Sequence, residues 1–420
     1  MLVEFRVKNF KSFQNECVLS LVGNSDRALP NNTLTTKSFS KRKLLRSAVL
    51  YGPNASGKSN LIAAIAFLQH LVRTSASNPP HAEIRVQPFR LNENSRQAPS
   101  EFELTFIHDE IRYQYGISVD HLSVHSEWLV AYPKGRAQTW FERTFNVESG
   151  TYDWHFGRHL KGEKTRLQEL TKPNSLFVSV AATFNNEQLA KVYSWFDHYL
   201  LVLDINEASE RLVYETAKQT LTQPDFHKAI QKFLQVADLG IVDFSVEERT
   251  APNPERMRFP EHAIDIQVQH QTKGQNGTPI AFSFEEESLG TRRLFAYGGP
   301  LLSTLKNGYT LFVDELDASL HPRMLKAFVT LFHDPKLNPH HAQLIFNTHD
   351  ITLLDSLIFR RDQIWLMEKD KAGASHLYSL LEFSPRKEEA LAKGYLQGRY
   401  GAVPFVREKL LEGNLFHGQG

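Results

Sequence analysis

The sequence of 420 residues holds one cysteine, Cys17, so no disulfide can form within the chain and a reducing, cytoplasmic setting is expected. No run of eighteen apolar residues occurs, which argues against a membrane-spanning helix and a membrane partner. Neither sign of charge is in excess. With 48 Lys and Arg against 47 Asp and Glu the net charge is +1, so nucleic acid can be met only through a local patch or a partner. Sustained heptads are missing, which excludes a long coiled coil. No internal repeat and no low-complexity stretch is present. No Asp-x-Asp pair exists to begin a Toprim-type metal site, and one cysteine excludes Cys-rich zinc sites. The opening "MLVEFRVKNF" alternates apolar and charged residues, which predicts a strand and not a signal peptide.

What is present is ordinary soluble composition with a clear change of texture. Strands are predicted at Leu2 to Val7 and Cys17 to Leu21, with a polar loop over 23–43. "RSAVLYGPNASGKSNLIAAIAFLQHLV" reads as a strand, a Gly-rich turn and an apolar-periodic helix. "SEFELTFIHDEIRYQYGISVD" reads as a β-hairpin broken at His108 to Glu110, and further strands are expected to about residue 156. From 183 to 238 the pattern is helical: Leu189, Val192, Tyr193, Phe196 and Leu200 share one face. Strand and loop return over 245–280. After 288 the pattern is α/β, with helices near 290–305, 321–333, 351–358, 385–397 and 403–411, and strands at 309–313, 343–346 and 363–367.

Gly52 to Ser59, "GPNASGKS", matches G-x-x-x-x-G-K-[ST] between a predicted strand and a predicted helix. Backbone N–H groups of such a loop (Asn54, Ala55, Ser56, Gly57) and of the helix start (Asn60) point at phosphate. The motif gives Lys58 to the β- and γ-phosphates and the Ser59 hydroxyl to Mg²⁺. "YTLFVDELDASLHP" is an apolar strand ending in carboxylates. Asp314 stands where a second Mg²⁺-directed acid belongs. Glu315, taken as continuing the strand, points away from Asp314 and can polarise an attacking water. The bland alternative is a strand capped by solvated acids. Lys58 and Asp314 are about 250 residues apart, so most of a lobe intervenes. No [Asn/Thr]-Lys-x-Asp run exists for guanine, which favours ATP. "AQLIFNTHD" is another apolar strand, and it ends at His349. Alone, His349 would be a surface or capping residue; with the other motifs it becomes a candidate to touch the γ-phosphate at the same sheet edge.

The order of phosphate loop, "ESLGTRRL", "VDELD" and "FNTHD" resembles an ABC-type ATPase head of the SMC, RecF and OLD group. Together with "VKNFKSFQN" and "YLQGRYGAVP" it is most similar to RloA/AriA-type bacterial antiphage-defence ATPases. The resemblance implies an α/β, ABC-type P-loop NTPase head. Its parts would be an N-terminal β-rich lobe with the phosphate loop (1–182), a helical insertion (183–240), and a C-terminal lobe with signature, acids and His349 (241–420), around a mainly parallel core sheet. It implies nucleotide contacts from Lys11 and Ser12. Ser288 and Gly290 take the place of the ABC signature, although Glu287 replaces its leading Leu. Asp317 takes the place of the D-loop. In such heads the signature acts in trans, on ATP held by the other subunit of a homodimer. Gln87 is a candidate for the family's Gln-bearing loop.

The resemblance also implies the function: a dimeric ATPase, using ATP and Mg²⁺, that controls a separately encoded effector of nuclease type in response to a phage-derived trigger. A RecF-like DNA-repair ATPase that binds DNA directly, and a scaffold that binds ATP without hydrolysis, are the alternatives. "KSFSKRKLLR" (37–46) carries five basic residues and no acid, and is either a solvated loop or a nucleic-acid contact. His340 and His341 read as a solvated turn. Glu285 to Glu287 have no assigned role.

Overall fold

The computed structural model describes residues 1–203, 205–237, 240–248, 264–272, 278–318, 320–385 and 389–403, with the backbone alone at 205–209 and 237. The chain runs through β1 (Leu2–Lys8), β2 (Cys17–Ser20), β3 (Thr33–Leu34), β4 (Leu44–Leu45) and β5 (Ser47–Tyr51), then α1 (Lys58–Thr74) and α2 (Glu93–Gln97). Five strands follow: β6 (Ser100–His108), β7 (Ile111–Val119), β8 (Val124–Tyr132), β9 (Gln138–Asn146) and β10 (Thr151–Phe156). Helices α3 (Thr165–Leu170), α4 (Phe177–Thr183) and α5 (Glu187–Ser194) lead to β11 (Leu200–Leu203), α6 (Ile205–Thr222) and α7 (Pro224–Ala237). After β12 (Ile241–Glu248), β13 (Ile264–His270) and β14 (Ile280–Ser283) come α8 (Leu289–Asn307), β15 (Thr310–Val313) and α9 (Pro322–His333). The described chain closes with β16 (Gln343–Asn347), β17 (Ile364–Lys369), β18 (Ser375–Ser379) and α10 (Leu391–Leu396). Among the described residues no helix is long and apolar enough to cross a membrane.

The central sheet is mixed, in the order β11-β15-β16-β5-β17-β18. Its first five strands pair in parallel and β18 runs antiparallel at one edge. The inner strands β5, β15 and β16 are buried on both faces, as continuous apolar runs require. Alternate residues divide between two cores: Leu50, Phe312, Ile345 and Met367 face one, and Val49, Leu311, Leu344 and Leu366 face the other. The first core also takes α1, through Leu61, Ile65, Leu68 and Val72, and the inner face of a seven-stranded antiparallel sheet, β10-β9-β8-β7-β6-β1-β2. The second takes α7, α8 and α9 and the three-stranded sheet β12-β13-β14.

Turn chemistry explains the meander. Asp109 and Glu110 between β6 and β7 both have positive φ, 48° and 59°, which matches the twist of a two-residue hairpin.

Several elements differ from the sequence pattern. Leu200 to Leu203, inside the stretch that reads as helical, form β11 and pair with β15. The helix before it ends in a π turn, Trp195–Tyr199, and Gln69 Nε2 donates to Phe196 O (2.8 Å) and Leu200 O (2.6 Å) there. β18 has no counterpart in the sequence pattern. The helix expected near 351–358 is one 3₁₀ turn, Ile351–Leu353, followed by irregular chain. Of the helix near 385–397 only Leu391–Leu396 is helical among the described residues, and the helix near 403–411 lies outside them but for residue 403, which is not helical.

Candidate functional site

β5 carries its loop to the carbonyl end of the central sheet. There Leu50 pairs with Asn347 of β16 and Tyr51 with Leu366 of β17, so the loop emerges between two parallel neighbours, where open α/β sheets bind ligands. The loop backbone is close-fitted. A Cβ on Gly52 would stand 2.1 Å from Met367 O, and one on Gly57 would stand 2.3 Å from Ser375 Oγ. Gly57 also has φ +115° and Ala55 φ +61°. Gly57 is the N-cap of α1, so no side chain competes for the first amides of that helix. Asn54 and Ala55 are exposed, while Ser56 is buried and its Oγ has no hydrogen-bond partner.

Lys58 is only 6% exposed, and its Nζ donates to Gly52 O (2.7 Å) and Pro53 O (3.0 Å). Burial lowers the ammonium pKa from its ordinary value; the charges of Glu315, Asp314 and Asp317 act against that shift. Three acids distant in sequence therefore lie close enough to act on this lysine.

Ser59 Oγ donates to Asp314 Oδ1 at 3.0 Å across 255 residues of sequence. Asn347, fully buried at the end of β16, donates from Nδ2 to the same carboxylate oxygen. Its Oδ1 accepts from Glu315 N at 2.6 Å. One amide thus orients both acids. β15 stops at Val313, and Glu315 has φ +50°, so a left-handed turn and not strand alternation aims the exposed Glu315 carboxylate; this corrects the strand geometry expected for it. Asp317 Oδ2 accepts from His349 N at 3.0 Å, and its Oδ1 is buried without a partner. His349 itself is exposed beyond the end of β16. Tyr51 OH donates to Asp350 O (2.9 Å), and burial, with Asp350 and Asp317 adding, raises the phenol pKa so that it stays a donor.

A hydroxyl group network backs the loop. Ser375 Oγ of β18 donates to Ser56 O (2.6 Å) and lies 2.8 Å from Ser12 Oγ, which accepts from Asn60 Nδ2 (2.7 Å). Lys11 has φ +48°, and its N donates to Gln87 O at 2.7 Å. Gln87 meets this cluster through its backbone; no hydrogen bond from its side chain occurs among the described residues.

The structure does not bring Ser288 and Gly290 to this loop by any hydrogen bond among the described residues. Ser288 is the exposed N-cap of α8 and its Oγ accepts from Thr291 N at 3.1 Å. Gly290 lies in the first turn of that helix. Two of the three preceding acids acquire local roles. Glu286 Oε2 accepts from Ser283 N (2.7 Å), and Glu287, with its side chain 6% exposed, lies 2.6 Å from His270 Nε2.

The sequence pattern did not point to Asn347, Ser375 or the backing role of Asn60. Asn347 had a signal, a polar residue at the end of an apolar strand. Ser375 had none, because its place depends on β18.

The donor set fits a magnesium-bound triphosphate. Ser59 and Asp314 offer hard oxygen donors 3.0 Å apart, which suits an ion that takes its remaining ligands from water and phosphate.

Residues 47–355 match a family described as "AAA domain, putative AbiEii toxin, Type IV TA system". No curated protein matches the chain. Similar solved structures include an SMC head bound to the C-winged helix domain of ScpA, at 13% identity over 90% of this chain and 97% of that one, with TM-score 0.42. Others are the SMC head domain from Thermotoga maritima (13%, 90% and 98%, TM-score 0.39) and an Smc head with an extended coiled coil bound to the C-terminal domain of ScpA, derived from Pyrococcus furiosus (15%, 91% and 97%, TM-score 0.38).

Proposed function

We propose, from the premise that this chain belongs to that AAA-domain family, that it is an ATP-hydrolysing switch that works as a two-fold dimer and controls a separately encoded effector of nuclease type in defence against phage. The observation that carries the ATPase reading is the Ser59–Asp314 contact, which joins the phosphate loop to the acidic strand end in one site. Magnesium bound there would neutralise phosphate charge and fix the triphosphate. Lys58 exchanges a loop carbonyl for a phosphate oxygen, and the amides of residues 54–60 hold the rest. Glu315 accepts a proton from the attacking water. Asn347 keeps Glu315 and Asp314 in register, and His349, tied by its backbone to Asp317, borders the exposed side of the site. Ser288 and the start of α8 would close that side from the partner subunit, excluding bulk water.

The purified chain should release phosphate from ATP in a magnesium-dependent way, and Glu315→Gln should bind ATP while releasing phosphate at least about 10²-fold more slowly. Unchanged release from Glu315→Gln would overturn the assignment. The defence role rests on the family's description and on the sequence resemblance. It is tested by phage plating with and without the neighbouring reading frame. The same description supports a second reading, in which this chain is itself the toxin of a toxin–antitoxin pair. Growth arrest on expressing it alone would favour that reading, and arrest that requires the neighbouring gene would favour the switch.

A further inference from the structure

The basic stretch 37–46 is not a free loop. Residues 37–43, between β3 and β4, fold onto one end of the seven-stranded sheet, where the β6–β7 and β8–β9 turns also lie. Ser38 Oγ donates to Glu110 O in the β6–β7 turn, and Lys37 Nζ lies 3.2 Å from the Glu110 carboxylate. The three segments enclose a cleft of about 770 Å³.

Its charge is one-sided. Lys37, Lys41, Arg42, Arg112 and Lys134 line it against one acid, Glu110, in a chain whose charges otherwise balance. Glu110 is engaged by Lys37, and Lys41, Arg42 and Lys134 make no ion pair among the described residues. Like charges gathered this way repel and lower stability unless an anion joins them. Arg112 is held in place. It stands opposite Tyr132 across β7 and β8, with its guanidinium 3.8 Å from that ring's centroid and 5.6 Å from that of Phe39. Its Nε is buried with no hydrogen-bond partner. Five cations, two serines and the rings of Phe39 and Tyr132 in the lining complement a polyanion that carries planar groups.

We propose that this cleft binds the phosphodiester backbone of single-stranded nucleic acid, with Lys41, Arg42 and Lys134 on phosphates and the Arg112, Tyr132 and Phe39 stack offering a flat surface to a base. The site shares no residue with the phosphate loop or its acids, so it stands whether or not the ATPase reading holds.

The test is fluorescence anisotropy of a labelled oligothymidylate of about 20 nucleotides on the full chain, between about 50 and 200 mM salt. The Lys41→Glu, Arg42→Glu double variant and Lys134→Glu should each weaken binding by about tenfold or more, and the salt slope should fall by about 0.7 for each phosphate no longer neutralised. Glu110→Gln, which reverses no charge, should tighten binding. Melting temperature and ATP affinity check that each variant is folded. Wild-type affinity in the charge-reversal variants, or no tightening in Glu110→Gln, overturns the proposal. Displacement of the oligonucleotide by polyglutamate equally well per charge also overturns it, because the cleft would then be a site for acidic peptide.

Discussion

Asn347 gives the site its order at the scale of single residues. It is fully buried and holds Asp314 with its amide nitrogen and the Glu315 backbone with its amide oxygen. Asn347→Ala removes both bonds and leaves the part-buried Glu315 N–H without this partner. The expected cost is about 1–3 kcal/mol of stability, and a loss of order 10²-fold in phosphate release because two acids lose their aim. Melting curves and steady-state phosphate release check the two effects separately; a release rate within about twofold of wild type would show that the acids orient themselves. Lys58→Ala belongs beside it. Lys58 is buried against its own loop carbonyls and faces three acids, so its loss should abolish ATP binding measured by calorimetry, and unchanged affinity would refute the phosphate-loop assignment. The residues that were legible, Lys58, Ser59, Asp314 and Glu315, sit in short motifs whose chemistry fixes their spacing. Asn347 and Ser375 were hidden because their roles follow from strand register, which joins positions far apart in the chain.

Elements show the same division. β5, β15 and β16 were readable because each is an apolar run followed by a turn motif. β11 was not, because four apolar residues after a helix continue its periodicity as well as they begin a strand. Only pairing with β15 decides the matter. How α9 attaches to the sheet was equally invisible, and it makes folding sensitive to acid. His333, the last residue of α9, lies 2.7 Å from Ser47 Oγ of β5 and 3.4 Å from Gln363 Nε2. Gln363 Nε2 also donates to Ser47 Oγ at 2.8 Å, which turns the hydroxyl hydrogen toward the ring and makes His333 Nε2 an acceptor. Burial holds this imidazole neutral, with its pKa lowered to about 3. The folded pKa lies below the ordinary value of about 6.5, so the unfolded chain takes up the proton first. The contribution is therefore complete above about pH 6.5 and falls by about 1.4 kcal/mol per unit as pH drops toward 3. By pH 5 the loss is about 2 kcal/mol. Melting temperature should fall between pH 7.5 and 5, and His333→Gln should show a smaller fall. An equal fall in both would place the acid sensitivity elsewhere.

For the whole molecule, the question is which surface completes the nucleotide site. Within the chain, the phosphate loop, Asp314, Glu315, Asp317 and His349 gather at one sheet edge, while Ser288 at the start of α8 is exposed and bonded only to its own first turn. The N-terminus of α8, where Ser288 Oγ caps only Thr291 N, suits an anion, and in the proposed dimer the triphosphate presented by a second copy would supply one. Two-fold symmetry would then pair each loop with the other chain's α8 and make two equivalent sites. Ser288→Arg should leave ATP binding to the isolated chain intact but stop hydrolysis, because the bulky cation blocks closure by the partner. Lys58→Ala stops hydrolysis by the other route. In a mixed dimer one site carries both defects and the other carries neither. An equal mixture of the two inactive proteins should therefore recover about a quarter of wild-type phosphate release, half the dimers being mixed with one working site each. Recovery should rise with protein concentration until dimers saturate. Normal hydrolysis by Ser288→Arg alone, or no recovery on mixing under conditions where sedimentation shows dimers, would mean that each chain completes its own site.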